Sequence, residues 1–262
     1  MVTTLPQFKT FQFLEDYLEK EELINCAAAN ASVIVCGTSF GQIVVCDVFG
    51  NFLFKTSVTQ YSPKAFPIIS IALWLEEPEI VFAANNFLVK WNWSRNSFSY
   101  LGGRIAQEEE IYSVICSNSL TEQFECIYYS LNCGKIFCRS SSILSNFKDN
   151  LIFNPNHALF TNFIESKDTL IERIELMKFY KEYLLFCHGN NFYIYNEKLE
   201  KIVHKASSKS KFVDIQISES HFLLLSEKFM YTYAEIDSVL TISQKISLSK
   251  APIGIALTNY AV

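Results

Sequence analysis

The chain has 262 residues, half of them hydrophobic, 15% aromatic and 19% charged, with a formal net charge of −5. That balance excludes a disordered chain, which carries few apolar residues and much charge. It also removes any global electrostatic case for gripping nucleic acid. The length suits one large domain with a sizeable core.

In chain order, the N-terminal MVTTLPQFKTFQFLEDYLEK has no basic n-region and turns acidic early, so no signal peptide is predicted. Residues 8–22 either form a short helix, with Leu14, Tyr17 and Leu18 on one face, or open with a closing strand at 8–13. The longest apolar stretch, 66–75, falls far short of the roughly 18 residues a spanning helix needs, so no membrane insertion is expected. The eight cysteines (26, 36, 46, 116, 126, 133, 138 and 187) form no C-x-x-C pair. Most sit inside apolar runs, where they act as small buried hydrophobes of an intracellular, reduced, soluble protein.

A worn repeat follows. Its clearest copy, VIVCGTSFGQIVVCDVFGNFLFK at 33–55, is three strands joined by tight turns. The pattern returns as EIVFAANNFLVKWNWSRNSFSYL at 79–101 and FECIYYSLNCGKIFCRSSSIL at 124–144. Two later copies are EYLLFCHGNNFYIYNEKLEKIV at 182–203 and HFLLLSEKFMYTYAEIDSVLTI at 221–242. Each copy is preceded by another apolar segment, at 24–29, 68–75, 111–116, 170–177 and 212–217. A lone segment, 253–257, follows the last copy. Second strands starting near 33, 79, 126, 183 and 222 are spaced by 46, 47, 57 and 39 residues. Four strands per unit of roughly 40–45 residues predict a β-propeller. The expectation is an all-β chain forming a single propeller domain over 1–262, with five to seven blades and six as the central value. The long interval holds an insert near 145–168, either a loop or an eroded blade. A layered α/β fold is disfavoured, because helical periodicity occurs only at 8–22 and 170–180 and no G-x-G-x-x-G or G-K-[ST] loop exists.

No catalytic constellation is evident. The four histidines, His157, His188, His204 and His221, show no i+3 or i+4 pairing, and neither H-E-x-x-H nor G-x-S-x-G occurs. No catalytic residue, cofactor or metal is expected, and the chain is predicted not to be an enzyme. The densest aromatic-cationic cluster is KWNWSR at 90–95. Lys90, Trp91, Trp93 and Arg95 are candidate partner contacts, able to stack on a partner's arginine or a base. The competing expectation packs Trp91 between blades and lays Trp93 over a turn. The lysine run at 198–211 is either a phosphate contact or a solvated edge strand whose lysines block edge pairing. Glu108, Glu109 and Glu110 are expected in a solvated loop.

The repeats resemble degenerate WD repeats. Asp47 in VVCD stands at the position of that family's terminal aspartate, and Trp91 in LVKW at that of its tryptophan. No copy has both residues and the G-H dipeptide is absent, so the fold is expected to rest on strand packing rather than on the Asp–His–Ser/Thr–Trp network. Within WD proteins the chain is similar to the THO complex subunit 6 family. The similar segments are CGTSFGQIVVCD (36–47), LVKWNW (88–93), EYLLFCHGNNFYIY (182–195) and SKFVDIQISESHFLLLS (210–226), in the same order. That resemblance implies a non-enzymatic nuclear subunit of an assembly for messenger-RNA processing and export. Its partners would be other protein subunits, without direct nucleic-acid binding. Thr38, Gly41, Asp47, Gly50 and Asn51 also resemble a run in the propellers of endolysosomal tethering subunits, which implies a cytoplasmic protein peripheral to those membranes. Those proteins continue into helical solenoids, whereas this chain ends at Val262, and a stand-alone propeller is expected.

Overall fold

The structure, a computed structural model, describes residues 15–58, 66–73, 79–84, 87–101, 109–117, 126–140, 148–155, 173–236 and 239–252. Among the described residues, a short 3-10 turn (Glu15–Tyr17) leads into twenty strands. The first sheet holds β1 (Ile24–Ala29), β2 (Val33–Thr38), β3 (Gln42–Asp47) and β4 (Phe52–Ser57). The second holds β5 (Ile68–Leu73), β6 (Glu79–Ala84), β7 (Phe87–Asn92) and β8 (Ser97–Tyr100). The third holds β9 (Ile111–Cys116), β10 (Cys126–Leu131), β11 (Ile136–Ser140) and β12 (Lys148–Phe153). The fourth holds β13 (Leu176–Tyr180), β14 (Tyr183–His188), β15 (Asn191–Asn196) and β16 (Lys201–Ser207). The fifth holds β17 (Phe212–Ile217), β18 (His221–Ser226), β19 (Phe229–Ile236) and β20 (Val239–Ser247).

Every sheet is an antiparallel meander in chain order. Local pairing of this kind follows from the short turns, which leave each strand only its sequence neighbour as a partner. Gly41, Gly134 and Gly189 turn the second strand into the third at positive φ, a region an L side chain avoids. The ladder between third and fourth strands slips register at Val45/Cys46, Ile136/Phe137, Ile194/Tyr195 and Thr232/Tyr233. Such bulges add local right-handed twist, which fans the four strands of a sheet.

The second and third strands of the first and fourth sheets are buried on both faces, the third strand β19 is half-buried apart from Tyr233, and the fourth strands β4 and β16 are exposed or half-buried. This explains the near-continuous apolar runs at 33–37 and 80–84: a strand sandwiched between two sheets has no solvent face to mark with polar residues. Four apolar cores lie between successive sheets. Ile43 and Val45 of the first sheet meet Ile80 and Phe82 of the second. Val81 and Leu88 meet Ile127 and Tyr129. Tyr128 and Ile136 meet Leu184 and Phe186. Leu185 and Phe192 meet Phe222 and Leu224. The first strands touch in the order β1, β5, β9, β13, β17. Among the described residues no core joins the fifth sheet to the first, and β1 is more exposed than β5, β9 or β17.

Three expectations need adjustment. The described residues form five sheets, the low end of the expected range rather than its central six. Within the supposed insert, Lys148–Phe153 is the fourth strand of the third sheet, paired to β11; residues 141–147 and 156–172 lie outside the described residues. The helical spacing at 170–180 belongs, over Leu176–Tyr180, to a two-faced strand. Met177 and Phe179 face the third sheet, and Leu176 and Tyr180 face the fifth, so i, i+1, i+3 and i+4 are all apolar without a helix. Of the candidate helix at 8–22, residues 8–14, which include the alternative strand at 8–13, lie outside the described residues; 15–22 hold a 3-10 turn at Glu15–Tyr17 rather than a helix, and the segment 253–257 also lies outside the described residues.

Candidate interaction surfaces

A meander repeated around an axis has two rims. One carries the turns between first and second and between third and fourth strands. The opposite one carries the second-to-third hairpins and the connections between sheets.

KWNWSR lies on the first rim, at the β7–β8 turn. Trp91 is 1% exposed and belongs to the core between the first two sheets. Its ring stacks on Phe98 at 5.5 Å, and its Nε1 donates to Asn96 Oδ1 at 3.3 Å. Trp93 is half-buried beside it, ring centroids 6.4 Å apart. Lys90 pairs with Glu79 at 2.5 Å. Arg95 is exposed, its backbone N–H held by Asn92 Oδ1 at 3.0 Å. The four residues are thus neighbours, but only Arg95 projects fully into solvent; the tryptophans hold the blade. Trp91→Ala is expected to cost about 3–5 kcal/mol in urea unfolding, and Arg95→Ala under about 0.5 kcal/mol.

The same rim shows a substitute for the missing polar network. Asp47, Asn92 and Asn196 each end a third strand and hold the next turn through their side-chain oxygens. Asp47 accepts from the N–H groups of Phe49 and Asn51 at 2.9 and 2.8 Å. Asn196 accepts from Leu199 N–H at 2.8 Å. Asn92 and Asn196 also donate to Glu79 and Glu182, both at 3.0 Å. The Asn51 side-chain amide and these N–H donors keep the Asp47 carboxyl below its usual range. Asp47 thus fixes a local turn within its own blade.

On the opposite rim, residues ahead of the first strands reach the hairpins. Buried Glu22 accepts from Thr38 Oγ1 at 2.5 Å, and Glu109 meets Lys135 at 2.7 Å. Glu110 is exposed, and Glu108 lies outside the described residues. The lysine run at 198–211 is split: Lys198 pairs with Glu182 on the first rim at 2.6 Å, Lys205 lies over the Tyr193 ring, and Lys209 and Lys211 reach the opposite rim.

His188 is buried against Phe153, and burial lowers the pKa of His204. His221 Nδ1 sits 2.9 Å from Ser218 Oγ; His157 is outside the described residues. Among the described residues no group of three or more His, Cys, Asp or Glu is placed to hold a metal. Five of the eight cysteines are buried, and Cys26, Cys126 and Cys133 are half-buried. No helix of the described residues is long and apolar enough to cross a membrane.

The sequence pattern missed two features. One is the ion pair between buried Arg139 and half-buried Asp149. The other is an exposed apolar stretch on the outer edge of the first sheet: Val48, Phe49, Phe52, Leu53 and Phe54, with Phe49 79% exposed.

Five twisted four-stranded meanders packed face to face in chain order define a β-propeller. Solved structures agree. The Cps50 (Swd1) propeller domain of Myceliophteria thermophila superposes with a TM-score of 0.61 at 10% identity, over 85% of this chain and 71% of that one. The RRP9 WD40 repeats give a TM-score of 0.62 at 9% identity, over 88% and 68%. A chain of the mitotic checkpoint complex gives 0.63 at 9% identity, over 90% and 71%. The chain is therefore similar to WD40 propellers in fold. No family model and no curated protein matches its sequence.

Proposed function

We propose that this propeller is a non-enzymatic protein-interaction scaffold, serving as a subunit of a nuclear assembly of the THO/TREX type for messenger-RNA processing and export. The observation that carries the scaffold reading is the apolar stretch at 48–54. Five large hydrophobic side chains within seven residues of this outer edge keep exposed surface, Phe52 while stacking on Tyr17 at 4.4 Å, and clustered apolar exposure of that kind marks a protein contact. The other fourth strands break their apolar residues with Lys, Ser or Gln, as in KIVHKAS and VLTISQKIS. Resemblance of segments 36–47, 88–93, 182–195 and 210–226 supports the nuclear assignment. Similarity of the run from Thr38 to Asn51 to endolysosomal tethering propellers supports the second reading. That similarity is the weaker support, since Gly41 and Asp47 are occupied in building tight turns.

The test is affinity purification with mass spectrometry, comparing the chain with its Phe49→Ser/Leu53→Ser variant. The expected result is recovery of RNA-processing subunits that is lost in the variant. Recovery of tethering subunits without them would move the chain to the second reading, and equal recovery by both forms would remove the apolar edge as the contact.

A further inference from the structure

The rim formed by hairpins and inter-sheet connections is electrically lopsided. Over the first and third sheets it carries Glu19, Glu21 and Glu110, all exposed, with exposed Lys20 between the first two and Lys135 paired to Glu109. Over the fourth and fifth it carries Arg173, Lys209, Lys211, Lys228 and Lys250, also exposed. The carboxylates among these cations are Glu175, which engages Lys211 at 2.5 Å, and Glu227. On the other rim Lys181 is neutralised by Glu235 and Lys198 by Glu182, both at 2.6 Å, beside exposed Lys201. The arc is also rigidly built. Ser208 N–H donates to the Asn190 carbonyl at 2.9 Å, and Glu227 N–H to that of Lys211 at 3.1 Å, tying the connection to both hairpins.

Two hollows interrupt the arc. A cleft of about 330 Å³ opens at the seam of the fourth and fifth sheets, with Arg173 and Lys211 at its mouth and Leu176 and Phe212 in its wall. A second, of about 500 Å³, lies beside Lys228 and Lys250. The first accommodates one or two amino-acid side chains, not a stacked run of bases. Leu176, Cys187 and Phe212 supply its apolar wall, and Glu175 and Asn190 share the lining with the two cations.

We propose that this arc docks an extended acidic segment of a partner protein. The segment places an aliphatic side chain in the seam between Leu176 and Phe212. Its flanking carboxylates lie on Arg173, Lys209 and Lys228. Complementary charge would steer the encounter and set register, and the apolar anchor would slow release. Net charge of −5 on the whole chain opposes a long polyanion such as RNA, whereas a short acidic segment meets only the local field. The inference deepens the scaffold reading and rests on it, with a contact surface separate from the apolar edge.

The probe is a labelled Asp/Glu-rich peptide carrying a single leucine, followed by fluorescence anisotropy on the full chain. Binding is expected to weaken about tenfold or more in Lys209→Glu/Lys228→Glu, to fall as salt is raised, and to weaken when the leucine becomes serine. Lys181→Glu/Lys198→Glu on the other rim is expected to leave it unchanged. Unchanged thermal unfolding of each variant separates lost binding from lost fold. Equal binding by the Lys209/Lys228 variant overturns the proposal. So does preference for oligo-uridylate or phosphatidylserine vesicles over the peptide. A chain that keeps its purified partners through the Phe49/Leu53 edge yet fails this test sinks the acidic-segment docking alone.

Discussion

Replacing Gly37 by alanine is expected to destabilise the chain by about 1–3 kcal/mol, the usual cost of overpacking. Tm should fall by about 2–4 °C for each of those kcal/mol. Gly37 lies in β2, where the first sheet meets β5 of the second. A Cβ there would stand 2.5 Å from Ile68 Cγ2, 2.7 Å from Ile68 Cβ and 2.9 Å from Cys26 Sγ. Ile68 cannot retreat: its side chain is fully buried between the sheets, and its carbonyl accepts from Asn25 Nδ2 at 3.3 Å. The backbone at Gly37 does not have positive φ, so the requirement for glycine is one of space alone. A double-mutant cycle isolates it. Ile68→Ala costs about 2–5 kcal/mol by itself, and it should cost less when Gly37 is already alanine, because it removes Cγ2, the nearest of the clashing atoms, while Ile68 Cβ stays. Additive costs would show that the two residues do not meet as described.

Close approach of this kind also explains what the sequence made legible. Strands such as β2, β3, β14 and β15 stand out as apolar runs because both faces are buried, and glycine and Asx residues mark the turns beside them. Gly41 and Asp47 are therefore found by pattern alone. Fourth strands are exposed on the outside of each blade and carry no such mark. KDNLIF at 148–153 thus passes for part of an insert, although it pairs with β11. β13 misleads in the opposite way, its two apolar faces imitating helical spacing. The lysine run at 198–211 looks like one cluster in sequence. β16 carries it from one rim to the other, leaving Lys198 beside Glu182 and Lys209 in the cationic arc. KWNWSR shows the limit from the other side. Its composition suits a contact surface, yet Trp91 sits in a core whose depth depends on how two sheets pack.

The buried cation was invisible for the same reason, and its removal should have a large effect. Arg139, 2% exposed, lies in β11 and faces Leu101, the residue after β8. Its Nε donates to Asp149 Oδ1 at 2.6 Å and its Nη2 pairs with Asp149 Oδ2, a two-pronged contact across β11 and β12. Its Nη1 donates to the Leu101 carbonyl, linking the second and third sheets. The guanidinium also lies over the Tyr129 ring, 5.7 Å from its centroid. Burial works against the charge, but Asp149 outweighs it and the Arg139 pKa is raised. Arg139→Ala should cost about 3–5 kcal/mol, because it strands a partly buried carboxylate and leaves a buried carbonyl without a donor. Arg139→Met/Asp149→Leu should recover about half of that loss, since removing both charges together avoids the stranded ion, while the Leu101 carbonyl still lacks its donor at about 1–3 kcal/mol. Chemical denaturation of the three chains reads both values. A double variant as unstable as the single one would mean that Arg139 acts by filling space between sheets, with no net contribution from the ion pair.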